Sequence, residues 1–316
     1  MSGQDDAGQD EAGRAATARR IGIGLAAVGR PAYITAGRDG DLGPASERSV
    51  EVLRERTHRL LDAAWDAGVR FIDAARSYGR AEEFLGDWLA RHPERRAALR
   101  IESKWGYEYV GGWAMDAPVH ERKEHSVAML DRQWPLTVDA LGSAPDSYLV
   151  HSITPESPAL TDRPLLDRLR GLAGSGVRVG LSTSGPAQGR VIELARAIPE
   201  SPFSAVQSTW NPLEQSAGDA LAAAHDDGWL VVVKEALANG RLVVHPIDAD
   251  GETPPDALAL GAALAQPWAE VVLSGAATAE QLLANLRARP LALAALPALA
   301  VDPARYWAER SALDWT

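Results

Sequence analysis

Short apolar segments alternate with longer segments of helical spacing along most of this chain, and this alternation restricts its fold more than any other feature. Eight such pairs lie between Ile21 and Arg287. Some of the apolar segments, such as residues 229–233, consist almost wholly of bulky and β-branched residues, which is typical of strands buried on both faces. Eight strand–helix units in about 270 residues match the size of one barrel domain. The sequence therefore predicts an α/β protein, a (β/α)8 TIM barrel that forms a single domain over residues 21–316.

The limits of the predicted elements follow from the apolar pattern and from helix-terminating glycines. The predicted strands are residues 21–28, 69–73, 100–103, 148–150, 177–182, 204–207, 229–233 and 270–273. The predicted helices are residues 48–67, 81–91, 119–141, 164–173, 186–197, 213–227, 254–266 and 278–287, with a short one at 303–310 in the C-terminal tail. Residues 1–20 are polar and lack an apolar centre, so we expect a disordered tail and no signal peptide.

The composition excludes several classes of partner. The chain has 316 residues, 46% of them hydrophobic, and it contains no run of 18 or more apolar residues, so we expect no membrane partner. Its formal net charge of -11 argues against nucleic acid, which needs a basic face. The absence of cysteine excludes thiol catalysis and Cys-based metal sites, and the histidines other than His151 show no ligand spacing, so no metal is predicted. We expect a cytoplasmic protein that is a monomer or a small homo-oligomer.

Four polar residues follow the predicted strands in a way that indicates catalysis. Asp73, Lys104 and His151 each end a strand, and Tyr78 comes five residues after Asp73 and directly before a glycine. The carboxyl ends of the strands of a parallel barrel share one face, so these side chains can converge on one pocket. A tyrosine titrates near 10, and a nearby cation would lower its pKa towards neutrality. We therefore expect Lys104 to tune Tyr78, Asp73 to hold Lys104, and His151 to orient a bound carbonyl oxygen.

This pattern resembles the aldo-keto reductases, which are NAD(P)(H)-dependent carbonyl reductases and alcohol dehydrogenases on a (β/α)8 barrel. The resemblance rests on Asp73 with Tyr78, Lys104 and His151, in the family's order, and it extends over roughly residues 21–287. It implies transfer of hydride between NADP(H) or NAD(H) and the carbonyl carbon of an aldehyde, ketone or sugar. In that reaction Tyr78 is the acid for reduction and the base for oxidation.

The resemblance also implies which residues hold the cofactor. Gly24 and Leu25 match the family's turn beneath the nicotinamide. The family holds the carboxamide and the pyrophosphate where this chain has Ser182, Gln207 and the loop from Leu237 to Leu242, which includes Gly240. The family's final motif, a loop into a helix N-terminus that suits a phosphate or ribose, corresponds to a further set of residues: Ser274, Gly275, Thr278, Gln281 and Asn285.

Two departures from the family pattern concern this cofactor. Gly275, Ala277, Thr278 and Gln281 are uncharged where many members carry Lys or Arg against the 2'-phosphate, which weakens the case for NADPH over NADH and leaves only Arg287 or Arg289 to reach it. Near the position of the usual stacking aromatic the chain has Lys234-Glu235. We hypothesise that Trp210 takes over the stacking and that Lys234 meets the pyrophosphate, while a local salt bridge between Lys234 and Glu235 remains the alternative.

Two loops are expected to determine the substrate. The long polar loop of residues 29–45 is predicted to cover the pocket, since loops of this length are usually functional. The aromatic loop directly after Lys104 is predicted to form a substrate wall through Trp105, Tyr107 and Trp113.

Two other functions stay open from the sequence. Lys104 could be a Schiff-base nucleophile in a barrel lyase or aldolase, or the chain could be a cofactor-sensing barrel without catalysis.

Overall fold

Eight parallel strands close into the predicted barrel in this computed structural model, which describes residues 13–34, 39–247, 253–293 and 296–315. The barrel strands are β1 (Ile21–Gly24), β2 (Phe71–Asp73), β3 (Arg100–Trp105), β6 (Ser147–Ile153), β7 (Arg178–Thr183), β8 (Ala205–Thr209), β9 (Leu230–Lys234) and β10 (Val271–Ser274). They follow one another around the barrel in chain order, and β10 pairs with β1 to close it. Between β3 and β6 the chain forms a separate antiparallel hairpin of β4 (Tyr107–Tyr109) and β5 (Glu121–Lys123).

Each barrel strand is followed by helical chain that covers the outside of the barrel. The described part of α1 is residues 13–20, and it is followed by α2 (Val50–Asp66), α3 (Ala81–Arg91), α4 (Val127–Leu141), α5 (Arg163–Gly174), α6 (Gln188–Arg196), α7 (Gly218–Asp226), α8 (Arg241–Val244), α9 (Pro255–Leu264), α10 (Ala279–Asn285), α11 (Leu296–Leu299) and α12 (Pro303–Ser311). Ser49, Ser126 and Asp162 begin their helices by accepting a backbone N–H three residues ahead, which satisfies a donor that the helix itself leaves unpaired. Gly142 ends α4 with a φ of 73°, where a side chain would be strained.

The inside of the barrel is apolar at one end and polar at the other. Seven buried apolar residues form one cluster, most of them in the first half of their strands: Phe71, Leu149, Ala205, Leu230, Val232, Val271 and Leu273. Gly22 and Gly180 allow these side chains to approach, since a Cβ on Gly180 would lie 2.4 Å from Leu149. The polar side chains of Asp73, Lys104 and Gln207 lie further along their strands, towards the carboxyl ends. The barrel therefore presents its chemistry at the end where the loops into the helices begin.

Two parts of the predicted structure are wrong. Residues 119–141 were predicted to be one helix, but β5 pairs back on β4 and α4 begins only at Val127. The disordered tail predicted for residues 1–20 is contradicted over residues 13–20, which are helical. This short segment is rich in Ala and Arg, which favour helix, and it packs on the protein: Ala18 is buried and the Thr17 hydroxyl donates to the Ala288 carbonyl at 2.8 Å. Residues 1–12 lie outside the described part of the chain.

The C-terminal tail returns to the barrel. Tyr306 and Trp307 on α12 are buried, and the Tyr306 hydroxyl accepts a hydrogen bond from the Asn211 amide at 2.9 Å. Further on, Trp315 forms an isolated antiparallel bridge with Ile34 in the loop after β1. The C-terminal tail therefore meets the loop after β1. Within the residues described here, none of the helices is long and apolar enough to cross a membrane.

Candidate active site

A buried ion pair lies at the centre of the predicted catalytic group. Lys104 is fully buried, and its Nζ donates to the Asp73 carboxylate, to the Ala74 carbonyl oxygen at 3.1 Å and to the Tyr78 hydroxyl at 3.2 Å. The ends of β2 and β3 lie side by side, because Asp73 pairs with Glu102 in the strand register. The structure thus brings together three of the four residues predicted to be catalytic.

His151 completes the group from β6. Its Nδ1 lies 3.3 Å from the Ser77 hydroxyl, and its ring meets Tyr78 edge-on, with 5.6 Å between ring centres. Burial lowers the pKa of His151 well below its ordinary value of 6.5, and the positive charge of Lys104 lowers it further. The imidazole is therefore neutral at physiological pH and can donate or accept one hydrogen bond without adding charge.

The environment of Tyr78 differs from the sequence-based expectation. Burial raises the pKa of Tyr78 well above its ordinary value of 10, and the negative charge of Asp73 raises it further. We expected Lys104 to lower this pKa towards neutrality, but the Asp73 carboxylate that pairs with Lys104 offsets the effect of its positive charge. The phenol is thus held in its protonated form, which is the form that can donate a proton.

A second carboxyl group lies beneath the ion pair and was missed from the sequence. Glu102 is fully buried, and the Gln207 amide nitrogen donates to it at 2.6 Å and to Asp73 at 2.9 Å. Burial and the negative charge of Asp73 together raise the pKa of Glu102 to about 8. The sequence could have identified Glu102, because it stands two residues before Lys104 and strand alternation places both side chains inside the barrel.

Asp73, Tyr78 and His151 line a cavity of about 270 Å³ at the carboxyl ends of the strands. Gly24, Tyr107, Gln207, Lys234, Leu237, Gly240, Ser274 and Gly275, all predicted to be site residues, line this cavity. Lys104 lies directly behind Asp73 and Tyr78. The long loop after β1 also contributes to the wall, as predicted, through Arg30, Tyr33, Ile34, Asp41 and Leu42.

The charged and aromatic contacts that the hairpin and the C-terminal tail contribute to the wall were not predicted. Arg30 is buried, donates to Glu121 at 2.6 Å and lies 4.6 Å from the centre of the Trp315 ring. From α12, Arg310 binds the Glu235 carboxylate at 2.6 Å. These residues come from the hairpin, the C-terminal tail and the loop after β1, so no local sequence pattern connects them with the strand ends.

Three tryptophan predictions are not supported by their positions. Trp210 is buried against Trp268 with 5.7 Å between ring centres, so it does not face the cavity to stack on a ligand. Trp105 is fully buried next to His125, because it ends β3 on the outward side. Trp113 donates from its indole nitrogen to the Arg48 carbonyl at 2.8 Å and packs against Phe84. Of the predicted aromatic wall, Tyr107 lines the cavity.

Five further predicted residues support the cavity wall from behind. Leu25 is buried and donates its backbone N–H to the Asp73 carbonyl, and the Ser182 hydroxyl accepts the backbone N–H of Ser152 at 2.8 Å. Thr278 caps α10, the Gln281 side chain accepts the Ala277 N–H at 2.8 Å, and the Asn285 amide contacts the Ser274 hydroxyl at 2.8 Å. Thr278, Gln281 and Asn285 shape the loop after β10, whereas the backbone of Gly275 is open to the cavity.

Arg287 and Arg289, the two arginines considered as partners of a 2'-phosphate, both lie at the C-terminal end of α10, away from the predicted phosphate positions. Arg289 donates to the carbonyl oxygens of Leu286, Arg287 and Ala288 and also contacts Thr17 on α1. It therefore holds the end of α10 against α1. Arg287 is exposed at the same end of that helix, beyond Asn285.

Comparison with known proteins identifies the family of this chain. The model of the aldo/keto reductase family matches residues 42–248, well over half of the chain. The chain belongs to the aldo/keto reductase family. It is 30% identical over 145 residues to an aldo-keto reductase of Gibberella moniliformis, a match that covers 45% of this chain and 41% of that protein. It is 27% identical over 206 residues to aldo-keto reductase str7 of Strobilurus tenacellus, covering 64% of this chain and 56% of that protein.

This aldo/keto reductase thus spans about half the length of these two curated relatives. Among solved structures it is similar to a putative aldo-keto reductase of Pseudomonas aeruginosa, with a TM-score of 0.64 and 23% identity over 86% of this chain and 90% of that one. That similarity supports the barrel fold. Across the described residues, no group of three or more His, Cys, Asp or Glu side chains could hold a metal ion.

Proposed function

We propose that this protein is an NAD(P)(H)-dependent oxidoreductase that interconverts the carbonyl group of an aldehyde, ketone or sugar and the corresponding alcohol. The observation that carries the proposal is the shared contact of the Lys104 amine with the Asp73 carboxylate and the Tyr78 hydroxyl at the floor of the cavity. Family membership is consistent with this chemistry. The cavity of about 270 Å³ suits a small carbonyl compound beside a cofactor ring.

The cavity walls fit a dinucleotide. Gly275 leaves open space where a Cβ would stand, and a Cβ on Gly24 would approach Ser274 and Asp73 at 3.6 and 3.9 Å. The loop after β9 turns sharply, with positive φ at Asn239 and Gly240. We propose that these glycine-lined walls, with Lys234, Leu237 and Gln207, hold the cofactor, which supplies or accepts a hydride when bound.

The catalytic role of each side chain follows from its protonation state. Tyr78 keeps its proton until a carbonyl oxygen approaches, and it donates that proton as negative charge develops on the oxygen. Lys104 stabilises the phenolate that remains, and Asp73 keeps the ammonium in place. The neutral His151 donates a hydrogen bond that orients the oxygen. In the oxidative direction the same groups receive the proton of the alcohol.

The cofactor preference follows from the absence of a basic side chain at the predicted phosphate positions. Gly275, Ala277, Thr278 and Gln281 are uncharged, and Arg289 is engaged at the other end of α10. A 2'-phosphate normally needs a charge-assisted partner. We therefore propose that NADH is accepted with an affinity within about tenfold of that for NADPH, a difference below about 1.4 kcal/mol.

The Schiff-base alternative at Lys104 loses support. A nucleophilic amine must be accessible and neutral, but Lys104 is fully buried and paired with Asp73. The cofactor-sensing alternative would leave binding without turnover, so a measurement of both separates it from the enzyme.

The deciding experiment combines binding and turnover. Titration with NADPH and with NADH, followed by quenching of the ten tryptophans, is expected to saturate for both. Turnover of a panel of aldehydes, ketones and aldoses is expected to fall by about 10²–10⁴ in Tyr78→Phe, because the general acid is lost. Cofactor binding should be unchanged in that variant. Tyr109→Phe, in the hairpin, is the matched control. Absence of binding by the folded wild type, or full turnover by Tyr78→Phe, would contradict the proposal.

A further inference from the structure

Lysine is rare in this chain, and the positions of the few lysines suggest a role for one of them. The chain contains 29 arginines and three lysines, which are Lys104, Lys123 and Lys234. All three lysines lie at one end of the barrel. Lys104 touches Tyr78, Lys123 donates to the Ser152 carbonyl at 2.9 Å, and Lys234 lines the cavity itself.

We propose that Lys234 is a second reactive group of this cavity, an amine that condenses reversibly with a small aldehyde to form an imine. Arginine cannot take part in such a reaction, because its guanidinium stays protonated. The inference concerns the free cavity and does not depend on hydride transfer. It therefore goes beyond the proposed oxidoreductase.

The position of Lys234 distinguishes it from the other two lysines. Lys104 is sealed behind Asp73 and Tyr78 and is fully buried. Lys123 lies on the hairpin outside the cavity wall, over the Tyr107 ring at 5.7 Å. The side chain of Lys234 is 15% exposed, and that exposure is towards the cavity, since Lys234 forms part of its wall. Lys234 is therefore the lysine that a small molecule in the cavity can reach.

The amine of Lys234 is only weakly paired with a carboxylate. Its Nζ donates to the Thr209 hydroxyl at 2.8 Å, and the nearest carboxylate oxygen, on Glu235, is 3.9 Å away. Glu235 is itself held by Arg310, whose Nε and Nη2 both bind it, and by the Thr209 hydroxyl at 3.0 Å. The negative charge next to Lys234 is thus largely compensated by a guanidinium.

This environment favours the neutral amine that a nucleophile requires. Burial, together with the positive charges of Arg310 and Lys104, lowers the pKa of Lys234 to about 8, although the negative charge of Glu235 acts in the opposite direction. About half of the amine is then neutral at pH 8, compared with less than about 1% for an ordinary lysine that titrates near 10.4. The neutral nitrogen attacks the aldehyde carbon, a C=N bond replaces the C=O bond, and the oxygen leaves as water with the two amine protons.

The walls around the amine favour an aldehyde on a single aromatic ring. Tyr107, Tyr33 and Trp315 line the same cavity, and its volume of about 270 Å³ admits one ring. Benzaldehyde is thus a suitable probe, because it carries no charge that could bring it to Arg30 or Arg310. Sodium cyanoborohydride reduces an imine to a stable secondary amine and so fixes the position of the reaction.

The test is site-resolved trapping on the full-length protein without cofactor. Wild type is incubated with benzaldehyde and cyanoborohydride at pH 8, and modification is mapped by peptide mass spectrometry. We expect Lys234 to be modified at least about tenfold faster than Lys123, and Lys104 to stay unmodified. The N-terminal amine, with an ordinary pKa of about 7.7–8.0, is an internal reference. The rate at Lys234 should rise about tenfold per pH unit from pH 6 and level off above pH 8.

Two variants and one condition complete the test. Lys234→Arg keeps the charge and is expected to lose trapping at this site, whereas Lys123→Arg should keep it. In urea the preference for Lys234 over Lys123 should disappear, because it depends on the fold. Equal rates at Lys123 and Lys234 in the folded wild type, or faster trapping at Lys104, would overturn the proposal. Trapping requires no nicotinamide cofactor, so a failure of the oxidoreductase proposal would leave this result unaffected.

Discussion

Replacing Glu102 with glutamine is expected to stabilise the protein, although Glu102 lies at the centre of the site. One Glu102 oxygen accepts from Gln207. The other has no hydrogen-bond donor among the described residues and faces the Asp73 carboxylate. Two adjacent carboxylates cannot both ionise at low cost, so Glu102 keeps a proton and donates it to Asp73. A glutamine has the same shape and can make both contacts, with its amide N–H in place of the carboxyl proton.

The magnitude follows from the two protonation equilibria. The pKa of Glu102 rises from 4.5 to about 8 on burial. An acid with a higher pKa in the folded state binds its proton more tightly there, so stability falls by about 1.4 kcal/mol per pH unit between these two values. The loss is absent below pH 4.5 and complete above pH 8. We therefore expect the free energy of unfolding of Glu102→Gln to exceed that of wild type by about 3 kcal/mol at pH 7 and by less than about 1 kcal/mol at pH 5.

Urea unfolding followed by tryptophan fluorescence measures this difference. The free energy of unfolding is determined for wild type and Glu102→Gln at pH 5, 6, 7 and 8. Glu55→Gln, on the exposed side of α2, is the control and should differ from wild type by the same small amount throughout. If the difference between Glu102→Gln and wild type is equal at pH 5 and pH 8, or if wild type is the more stable at pH 8, Glu102 is not the protonated partner of Asp73.

Three other predictions follow from the site. Arg310→Met leaves the buried Glu235 carboxylate without its main partner and should lower the free energy of unfolding at pH 7 by about 3 kcal/mol. The Arg305→Met control on the same helix should cost less than about 0.5 kcal/mol in the same urea titration, and a loss equal to that of Arg310→Met would contradict the reasoning. Gly275→Lys should raise the affinity for NADPH relative to NADH about tenfold compared with Gly275→Gln, measured by fluorescence titration, because it adds a cation at an open position; an unchanged ratio would place the 2'-phosphate elsewhere. Because the pKa of His151 lies well below 6.5, kcat should show no ionisation between pH 6 and 7, and an inflection there that His151→Gln removes would refute a neutral imidazole.

The barrel and the grouping of the proposed catalytic residues could be predicted because both depend on short sequence separations. A polar residue directly after an apolar strand must lie at the carboxyl end of a parallel sheet, and Asp73, Lys104 and His151 all occupy that position. Strand alternation alone would also have located Glu102. The register of the strands then determines which of these side chains meet.

The cavity wall could not be predicted to the same extent, because its residues come from loops that converge only in the folded protein. Arg30 and Trp315 are neighbours because the loop after β1 forms a bridge with the C-terminal tail. Trp210 shows the opposite error, since it follows a strand end but turns outward against Trp268. Whether a side chain after a strand points inward depends on one backbone turn, which composition does not determine.

Because Gln207 joins strands that are distant in the chain, the site is complete only after β8 has joined the barrel. It reaches from β8 across the interior to Asp73 on β2 and Glu102 on β3, and β8 lies opposite β2 in the closed ring. A chain that has formed its first four barrel strands can already bring Lys104 next to Asp73, but it has nothing to fix the carboxylate from the other side. Recovery of activity after dilution from denaturant should therefore trail the recovery of helical signal and coincide with closure of the ring.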